Sequence, residues 1–530
     1  MIDTAALREK VLDLAIRGKL VPQDPTDEPA SVLLERIHEQ KLQMVREGKL
    51  KAKDVKDDTI IFKGDDNCYY EKFSDGTIKN IQDEIPFDLP NGWSWTKLKN
   101  IVIKEIKRGK APVYTNKSNV LVFAQKCNLK RGGINIDLAQ YLDETTLKKY
   151  SVDEFLRIND IVINSTGTGT LGRVGILHKD CFSQIINIVP DTHVTVVRVH
   201  DAIVSDYVFI TLKQMQAIIE TKGEGSTNQK ELRPEYIKKI FIPIPPYNEQ
   251  IRIVGIVEES FNTAVIVDSV DNELKNIISL LKSKILELAI QGKLVPQDEN
   301  DEPASVLLER IRTERKAKLG KKYVESYIYK GDDNCYYEKV GTTVKNITDQ
   351  IPFSIPQNWS FVRLKELAKV VSGVSYDKRD ICNDGIRIIR GGNISNLSIV
   401  LLPDDVFLPQ KYYDNEKEVK TEDIVIVAST GSKIAIGRPA FADKSFPQTQ
   451  IGAFLRIVRP YVPNVYQYLK CLFASNYYRE HISDLVHGNT INNIKTEYLD
   501  EFIIPFPPIR EQKEIANKVK ILMDILKGGD

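Results

Sequence analysis

The longest regular pattern of apolar positions in the chain runs from residue 253 to residue 288. Its members alternate four and three positions apart, with Ser260 and Asp271 as polar exceptions: Ile253, Val257, Ala264, Val267, Leu274, Ile278, Leu281, Ile285 and Leu288. This spacing is typical of a coiled-coil seam. At a rise of about 1.5 Å per residue, the pattern predicts a helix of about 50 Å.

Both ends of the chain carry the same spacing. It appears at one end as Ile515, Val519, Leu522 and Leu526, and at the other as Leu7, Val11 and Leu14. We expect the two ends to form a split helix that lies antiparallel to the central one. The alternative is two unrelated amphipathic helices, each packed on its own domain.

Shorter patterns predict the remaining elements. Residues 4–16 and 28–47 have helical spacing, the second with Pro29 tolerated in its first turn. Residues 57–81 mix β-branched and aromatic residues with GDD and SDG turns, which predicts a small hairpin. Residues 85–95 and 351–361 are proline-rich and extended, as expected of entrances to a domain.

Two long segments, residues 98–244 and 364–506, contain short β-rich runs followed by a late helix. The runs are 120–123, 161–164 and 193–199 in the first segment and 386–390, 424–428 and 454–458 in the second, with helices near 203–220 and 465–487. We therefore expect two α+β domains with mostly antiparallel sheets.

The chain is an internal duplication. Residues 14–24 (LAIRGKLVPQD) recur as 288–298 (LAIQGKLVPQD), and 27–37 recur unchanged as 301–311 (DEPASVLLERI). The block KGDDNCYYEK occurs at 63–72 and at 330–339, and FIPIPPYNEQ at 241–250 resembles IIPFPPIREQ at 503–512. Together the two ends rebuild one copy of the central segment, so we expect a cyclic, pseudo-twofold molecule.

Composition narrows the class of protein. With 42% hydrophobic and 28% charged residues, the 530-residue chain is typical of soluble globular proteins. No apolar run approaches a membrane span, the first ten residues lack a signal-peptide core, and six scattered cysteines fit a reducing cytoplasm better than a disulfide framework. The net charge is +1 overall, but residues 95–245 hold 22 Lys+Arg against 15 Asp+Glu, whereas residues 360–507 hold 18 against 17. The first segment thus has the charge for phosphate contact.

The duplicated LAI(R/Q)GKLVPQD…DEPASVLLERI block and the paired PIPP/PFPP…EQ ends resemble the specificity subunit of Type I restriction-modification systems over nearly the full length. The resemblance implies two target-recognition domains held apart by two antiparallel conserved helices, each domain reading one half of a bipartite DNA target. It also implies a non-catalytic chain that binds no cofactor itself. Two modification subunits, adenine methyltransferases, would bring S-adenosylmethionine, and restriction subunits would bring ATP and Mg²⁺.

On this resemblance we divide the chain into seven parts. They are a helical region (1–57), a hairpin and entrance segment (58–97), recognition domain 1 (98–247), the central helical spacer (248–320), a second hairpin and entrance (321–363), recognition domain 2 (364–508) and a C-terminal helix (509–530). We expect the amphipathic faces of residues 28–47 and 302–319 to dock the two modification subunits.

Two motifs suggest chemistry that the surrounding residues argue against. Residues 167–172 (GTGTLG) match a dinucleotide-binding loop, but the strand-like RVGIL follows where a helix is required. Residues 244–247 (IPPY) and 506–509 (FPPI) resemble the amine-binding motif of amino-methyltransferases but lack its polar first residue. There is no Walker A motif, HExxH motif or histidine cluster, so we expect no catalysis.

DNA recognition needs cations for phosphates and Arg, Lys, Asn or Gln at base edges. Four loops of each domain offer these groups, and residues 125–128 align with 390–393, as 225–229 do with 488–492. In domain 1 the candidates are Lys107, Arg108, Lys110, Gln125, Lys126, Asn128, Lys130, Arg131, Ser165, Thr166, Thr168, Arg173, Thr227, Asn228, Gln229 and Lys230. In domain 2 they are Tyr376, Lys378, Arg387, Arg390, Asn393, Ser429, Thr430, Ser432, Lys433, Arg438, Asn489, Thr490, Asn492, Asn493 and Lys495. The alternative is that these are ordinary polar turns.

Two other functions compete with DNA specificity. A self-contained DNA methyltransferase would need a cofactor-binding α/β domain, and no stretch of about 150 residues is free to form one. A helical assembly scaffold that never touches DNA would not need the basic first domain or the repeated polar loops. The base sequence of each half-site does not follow from the chain, because side-chain reach depends on docking geometry.

Overall fold

The computed structural model describes residues 2–130, 132–167, 169–182, 187–225, 230–432, 434–487 and 493–528. The chain divides into two compact units, Met1–Asp271 (unit 1) and Asn272–Asp530 (unit 2). Within the described ranges, no helix is both long enough and apolar enough to cross a membrane. All six cysteines are described, and all are free thiols.

Unit 1 begins with the helices that the sequence predicts. Helix α1 (Thr4–Ile16) has the predicted bounds, and the carboxylate of Asp3 caps it by accepting from Ala6 N at 3.0 Å. The unit then contains α2 (Ala30–Arg46), α3 (Lys53–Lys56), α4 (Ser205–Gln214), α5 (Gln216–Thr221), α6 (Pro234–Lys238) and the first part of α7 (Tyr247–Ile290). The single late helix predicted over 203–220 is therefore two helices.

The strands of unit 1 form four small sheets. They are β1 (Ile60–Lys63), β2 (Tyr69–Lys72), β3 (Ile78–Asn80), β4 (Ser94–Lys97), β5 (Lys107–Arg108), β6 (Tyr114–Thr115), β7 (Val120–Phe123), β8 (Gln140–Leu142), β9 (Ile161–Asn164), β10 (Val174–Ile176), β11 (Asn187–Pro190), β12 (Val194–Val197) and β13 (Phe241–Ile244). The orders are β1-β2-β3, β10-β9-β12-β5, β11-β7-β8-β6 and β13-β4. β7 and β11 are parallel and the other pairs are antiparallel.

Unit 2 repeats this plan, with one sheet of six strands. Its helices besides the end of α7 are α8 (Ala304–Leu319), α9 (Leu364–Leu367), α10 (Tyr466–Phe473), α11 (Asn476–His487), α12 (Thr496–Asp500) and α13 (Ile509–Lys527). Its strands are β14 (Ser326–Lys330), β15 (Tyr336–Val340), β16 (Thr343–Asn346), β17 (Ser360–Arg363), β18 (Ala368–Ser372), β19 (Ile386–Ile389), β20 (Ile394–Ser395), β21 (Ser398–Ile399), β22 (Val406–Leu408), β23 (Ile424–Val427), β24 (Pro439–Phe441), β25 (Thr449–Ile451), β26 (Leu455–Pro460) and β27 (Ile503–Phe506). The sheet orders are β14-β15-β16, β17-β27, β18-β26-β23-β24-β21-β20 and β22-β19-β25.

The predicted fold class, α+β with mostly antiparallel sheets, is confirmed. The predicted small hairpin is instead a three-stranded meander in both units, because residues 57–81 hold two turns: Asn67 in the first (φ 63°) and Gly76 in the second (φ 86°) both adopt the left-handed conformation. The helix predicted over 465–487 breaks before α11, because Ser475 Oγ accepts from Tyr478 N at 3.4 Å and so caps a new helix.

Helix α7 shares a core cluster with a different helix in each unit, and in unit 1 the two helices are antiparallel. In unit 1, Val11 and Leu12 of α1 pack in one core cluster with Ile253 and Val257 near the start of α7. Farther along α7, Asp268 accepts hydrogen bonds from Thr4 at 2.5 Å and from Arg8 at 3.0 Å, so the two helices run in opposite directions.

In unit 2, Leu286 and Ile290 at the end of α7 share a core cluster with Ile515 and Val519 of α13. The predicted seam is only partly buried: Leu274 and Leu281 are exposed and Ile285 and Leu288 are half-buried, whereas the buried members are Ile253, Val257, Ala264 and Ile278.

Proline-rich segments join these helix pairs to the sheets through matching contacts. Trp93 donates from its indole nitrogen to the carboxylate of Glu249 at 3.0 Å, and Trp359 does the same to Glu511 at 2.8 Å. The next residue, Gln250 or Gln512, donates to the carbonyl of Pro245 (3.0 Å) or Pro507 (2.8 Å). The PP…EQ motif therefore builds the start of a helix, in agreement with the absence of an amine-binding group.

Helix α2 packs on its own unit. Leu33 and Ile37 on its apolar face pack into the core beside β9 and β12. The same holds for Leu308 and Ile311 of α8 in unit 2. These side chains are not free for a partner, whereas Val32 and Val306 are exposed. Docking of the modification subunits on these two helices stays a prediction.

A buried ion pair fixes the far end of α2. Lys41, 1% exposed, donates to Asp58 at 2.7 Å and to the carbonyls of Lys99 (3.2 Å) and Asn100 (3.0 Å). Burial lowers the pKa of Lys41 and raises that of Asp58, and the attraction between them opposes both shifts. In unit 2 Arg315, 274 positions after Lys41, pairs with the buried Glu366 at 2.7 Å.

We predict that Asp58→Asn lowers the free energy of unfolding of unit 1 by about 3 kcal/mol, because it leaves a buried ammonium without its counter-charge. The measurement is urea-induced unfolding of the full chain. Glu28→Gln is the control: it removes the exposed Glu28–Arg36 pair (2.8 Å) and should cost less than about 1 kcal/mol. Equal losses for the two variants would show that the buried pair has no special role.

Candidate nucleic-acid interface

In unit 1, two candidate loops meet beyond the ends of β7 and β9. The glycine-rich loop of residues 167–172 connects β9 to β10, which pair antiparallel, so it is a hairpin connection with no helix after it. This confirms the argument against a dinucleotide site. The side-chain oxygen of Gln125 accepts from the hydroxyls of Thr166 (3.4 Å) and Thr170 (3.5 Å), which ties the two loops together.

Three of the candidates in these loops are buried and bonded internally. Asn128 donates to the carbonyl of Arg173 at 3.0 Å, and Arg173 donates back to the carbonyl of Asn128 at 2.5 Å. The hydroxyl of Ser165 pairs with that of Thr195 at 2.6 Å. These side chains hold the loops in place, because each is bonded to groups of its own unit.

The cations of residues 107–110 are already paired. Lys107 and Lys110 contact the carboxylate of Glu154 at 3.2 and 2.6 Å, and Arg108 pairs with Glu231. Burial alone would raise the pKa of Glu154, but the hydrogen bonds from Lys110, Ser151 N–H and Lys107 outweigh it, and the pKa falls to about 2. Much of the positive charge of this loop is therefore balanced locally.

Other candidate lysines of unit 1 have no carboxylate partner. Lys126, Lys130 and Lys230 are exposed, and none forms an ion pair with any described residue. Thr166 is half-buried, and its hydroxyl lies 2.6 Å from Nδ1 of His193. This surface combines free ammonium groups with a polar hydroxyl–imidazole pair.

In unit 2, Asn393 is buried and serves the fold. Its side chain accepts from Arg390 N at 2.7 Å and donates to the carbonyl of Val400 (2.9 Å) and the carboxylate of Asp405 (2.6 Å). Arg387 pairs with Asp405 at 3.0 Å. Arg390 is exposed, and it donates to a backbone carbonyl of Asp404 at 3.1 Å.

The remaining described candidates of unit 2 lie at its surface or around a pocket. Lys378, Ser432, Asn493 and Lys495 are exposed and Tyr376 is half-buried. Ser429, Thr430 and Arg438 line a cavity of about 550 Å³ together with Gly391, Gly392 and Phe454. Arg438 forms no side-chain hydrogen bond or ion pair with a described residue, and its Nε is buried without a partner.

Nine candidates lie outside the described residues. They are Arg131, Thr168, Thr227, Asn228, Gln229, Lys433, Asn489, Thr490 and Asn492. Among the residues that are described, no group of three or more His, Cys, Asp or Glu is placed to hold a metal ion.

The same family model matches the chain twice. The model for the Type I restriction modification DNA specificity domain matches residues 90–276 and again residues 356–528. The chain belongs to this specificity family. The resemblance inferred from the duplicated blocks is thereby confirmed, and two copies of the domain account for the repeated order of elements.

Relatives within the family are specificity subunits. The chain is 27% identical to the Type I restriction enzyme EcoAI specificity subunit of Escherichia coli, over 98% of this chain and 88% of that protein. It is 34% identical to the EcoKI specificity subunit of Escherichia coli strain K12, over 32% of this chain and 37% of that protein.

A solved structure shares the fold. It comes from a study of the complex assembly and conformational transition of the type I R-M system. The match has a TM-score of 0.51 and 16% identity, and it covers 84% of this chain and 93% of that chain.

Reasoning from sequence missed two side chains of this specificity-family member. Phe454 is 66% exposed and Ile434 is 86% exposed, although both are large and apolar. The sequence pattern placed Phe454 inside a strand, but β26 begins one residue later, at Leu455. In the sequence, the available signal was an aromatic residue at the start of an apolar run.

Proposed function

We propose that this chain is the DNA-binding specificity subunit of a Type I restriction-modification complex. Its two units would each read one half of a bipartite target, and the chain would position the modification and restriction subunits on the DNA. The observation that carries the proposal is the pair of specificity-domain matches, one almost wholly in unit 1 and the other in unit 2. S-adenosylmethionine, ATP and Mg²⁺ would act on the partner subunits.

The two half-sites should differ in sequence, because the candidate contacts of the two units differ in kind. Unit 1 presents free lysines and the Thr166–His193 pair. Unit 2 presents the unpaired Arg438 beside the exposed Phe454 ring. A purely polar site and a site with an apolar wall make different demands on base edges.

Phosphate contacts in this proposal come from the unpaired lysines. Exposed ammonium groups without a carboxylate partner are free to replace counterions along the DNA backbone. The described candidates that meet this condition are Lys126, Lys130, Lys230, Lys378 and Lys495. Buried candidates such as Asn128 and Asn393 are no longer proposed as contacts.

The helix pairs form the spacer of the proposal. Residues 98–247 and 364–508 would be the recognition domains, and α7 with its antiparallel partners α1 and α13 would be a coiled coil that separates them. The recurrence of the Trp93–Glu249 contact as Trp359–Glu511 supports a pseudo-twofold arrangement. Such symmetry would offer equivalent sites to two modification subunits.

Methylome sequencing of a host that carries the complex tests the function. We expect methylated adenines in one bipartite motif with two unlike halves, and no methyl transfer by the isolated chain. Replacing residues 364–508 with the corresponding domain of another specificity subunit should change one half and leave the other. A continuous motif, or a swap that alters both halves, would contradict the proposal.

The pairing of the lysines gives a second prediction. Lys126→Ala should weaken binding to all DNA sequences and reduce the slope of log affinity against log salt by about 0.9, the value for one phosphate contact. Lys110→Ala is the matched control, since its ammonium is occupied by Glu154 at 2.6 Å, and we expect a smaller change. Both are measured by DNA-binding titrations at several salt concentrations. A larger effect of Lys110→Ala would reverse the assignment.

The spacer gives a third prediction. One heptad inserted into α7, with a matched insertion at the chain ends, lengthens the helices by about 10 Å while the apolar face stays in register. Because successive base pairs are about 3.4 Å apart, the gap between the half-sites should lengthen by up to about three base pairs. The half-sites themselves should not change.

A four-residue insertion at the same places is the control for the spacer, because it breaks the register and should impair folding. The methylome of each variant reads out the gap. Changed half-sites with an unchanged gap would exclude the helices as the spacer.

A further inference from the structure

Unit 1 and unit 2 can be compared position by position around the pocket. In unit 1, Asn164 of β9 pairs with Val194 of β12, and in unit 2 Val427 of β23 pairs with Leu455 of β26. The residues before Val194 and Leu455 accept equivalent hydrogen bonds: Ser165 N donates to His193 O and Ala428 N donates to Phe454 O, both at 2.8 Å. Asn164 therefore corresponds to Val427, and His193 to Phe454.

A third pair follows from the neighbouring turn. Strand β7 ends at Phe123 and β19 ends at Ile389, and a 3₁₀ turn then covers Gln125–Cys127 or Gly391–Asn393. Gln125 thus corresponds to Gly391, one residue away from the alignment with Arg390 that the sequence suggested. At all three positions, unit 1 has a polar side chain where unit 2 has an apolar residue or none.

The three glycines that line the pocket leave open space in unit 2. A Cβ atom added at Gly391 would contact only Val427 Cγ1, at 3.8 Å, and one added at Gly392 or Gly431 would meet nothing within 4 Å. None of the three has the positive φ that requires glycine. Backbone conformation alone therefore does not explain these glycines. Glycine also allows close approach of a ligand to the backbone, and here the space in front of it is the cavity of about 550 Å³.

The two units also differ in whether an equivalent arginine is bonded internally. Asn164 N donates to the carbonyl of Arg173 and Val427 N to that of Arg438, so the two arginines are equivalent. Arg173 is buried and spends its guanidinium on the carbonyls of Asn128 and Gly169. Arg438 has no such partner among the described residues and faces the cavity. Unit 2 thus places a free donor beside an apolar wall.

We propose that this pocket reads a thymine of the half-site bound by unit 2, an inference that rests on the proposed DNA-specificity function. Thymine presents an acceptor, O4, and a C5-methyl group side by side in the major groove. The guanidinium of Arg438 donates to O4, and the methyl group contacts the ring of Phe454 and the side chain of Val427. Phe454 is thereby a specificity-determining residue.

The test replaces each thymine of that half-site, one at a time, with deoxyuridine, which keeps O4 and lacks the methyl group. Binding is measured with the full-length chain in complex with its modification subunit, on the target found by methylome sequencing. At one position the wild-type complex should bind about fourfold more weakly, the effect of losing one buried methyl group. Phe454→Ala should lose most of this difference there, because only Val427 then contacts the methyl group.

Two variants separate the contact from a general loss of structure. Phe454→Leu keeps an apolar side chain and should retain most of the discrimination. His193→Ala, at the matching position of unit 1, should leave the ratio of thymine to deoxyuridine binding at this position unchanged. No sensitive position, or discrimination that mostly survives Phe454→Ala, would overturn the inference while leaving the specificity function intact. Absence of any sequence-specific binding would instead overturn the proposed function, and this inference with it.

Discussion

The structure of each unit depends on one buried hydrogen bond, from a tryptophan indole to a glutamate in the first turn of a long helix. Glu249 and Glu511 are almost fully buried, and burial raises the pKa of both carboxyls. A buried carboxylate is costly unless it is bonded. Trp93 and Trp359 provide the bond, and they come from the proline-rich segment that leads into the sheets. Helix, entrance segment and sheet are thus held in one fixed relation.

A fixed frame lets the loops above it change. Ser165 N donates to the carbonyl of His193, and Ala428 N donates to that of Phe454. Both hydrogen bonds join backbone atoms, so a different side chain at either position leaves them in place. The side chains at those positions then differ freely: an imidazole bonded to Thr166 in unit 1, an exposed ring in unit 2. Two copies of one fold can in this way present unlike chemistry without altering their cores.

Local patterns in the sequence predicted much of the fold. The strands 120–123 and 161–164 have their predicted bounds because each is a continuous buried run between turns. The site was less predictable, because its charges are balanced over long distances in the chain. Lys110 meets Glu154, 44 positions away, and Arg108 meets Glu231, 123 positions away. Nothing near a lysine in the sequence distinguishes such a paired cation from Lys126, which is free.

Buried asparagines are a second reason why the sequence did not predict the site. Amides suit base edges, but the side-chain amides of Asn128 and Asn393 both donate to backbone carbonyls of their own unit. An amide that satisfies a tight turn and one that reads a base have the same composition and the same loop setting. The two kinds of asparagine differ in whether the carbonyls of the turn need the amide as a hydrogen-bond donor. Side chains beside such anchored turns, such as the exposed Arg390 and the half-buried Gln125, are therefore better candidates for DNA contact than the asparagines that hold the turns.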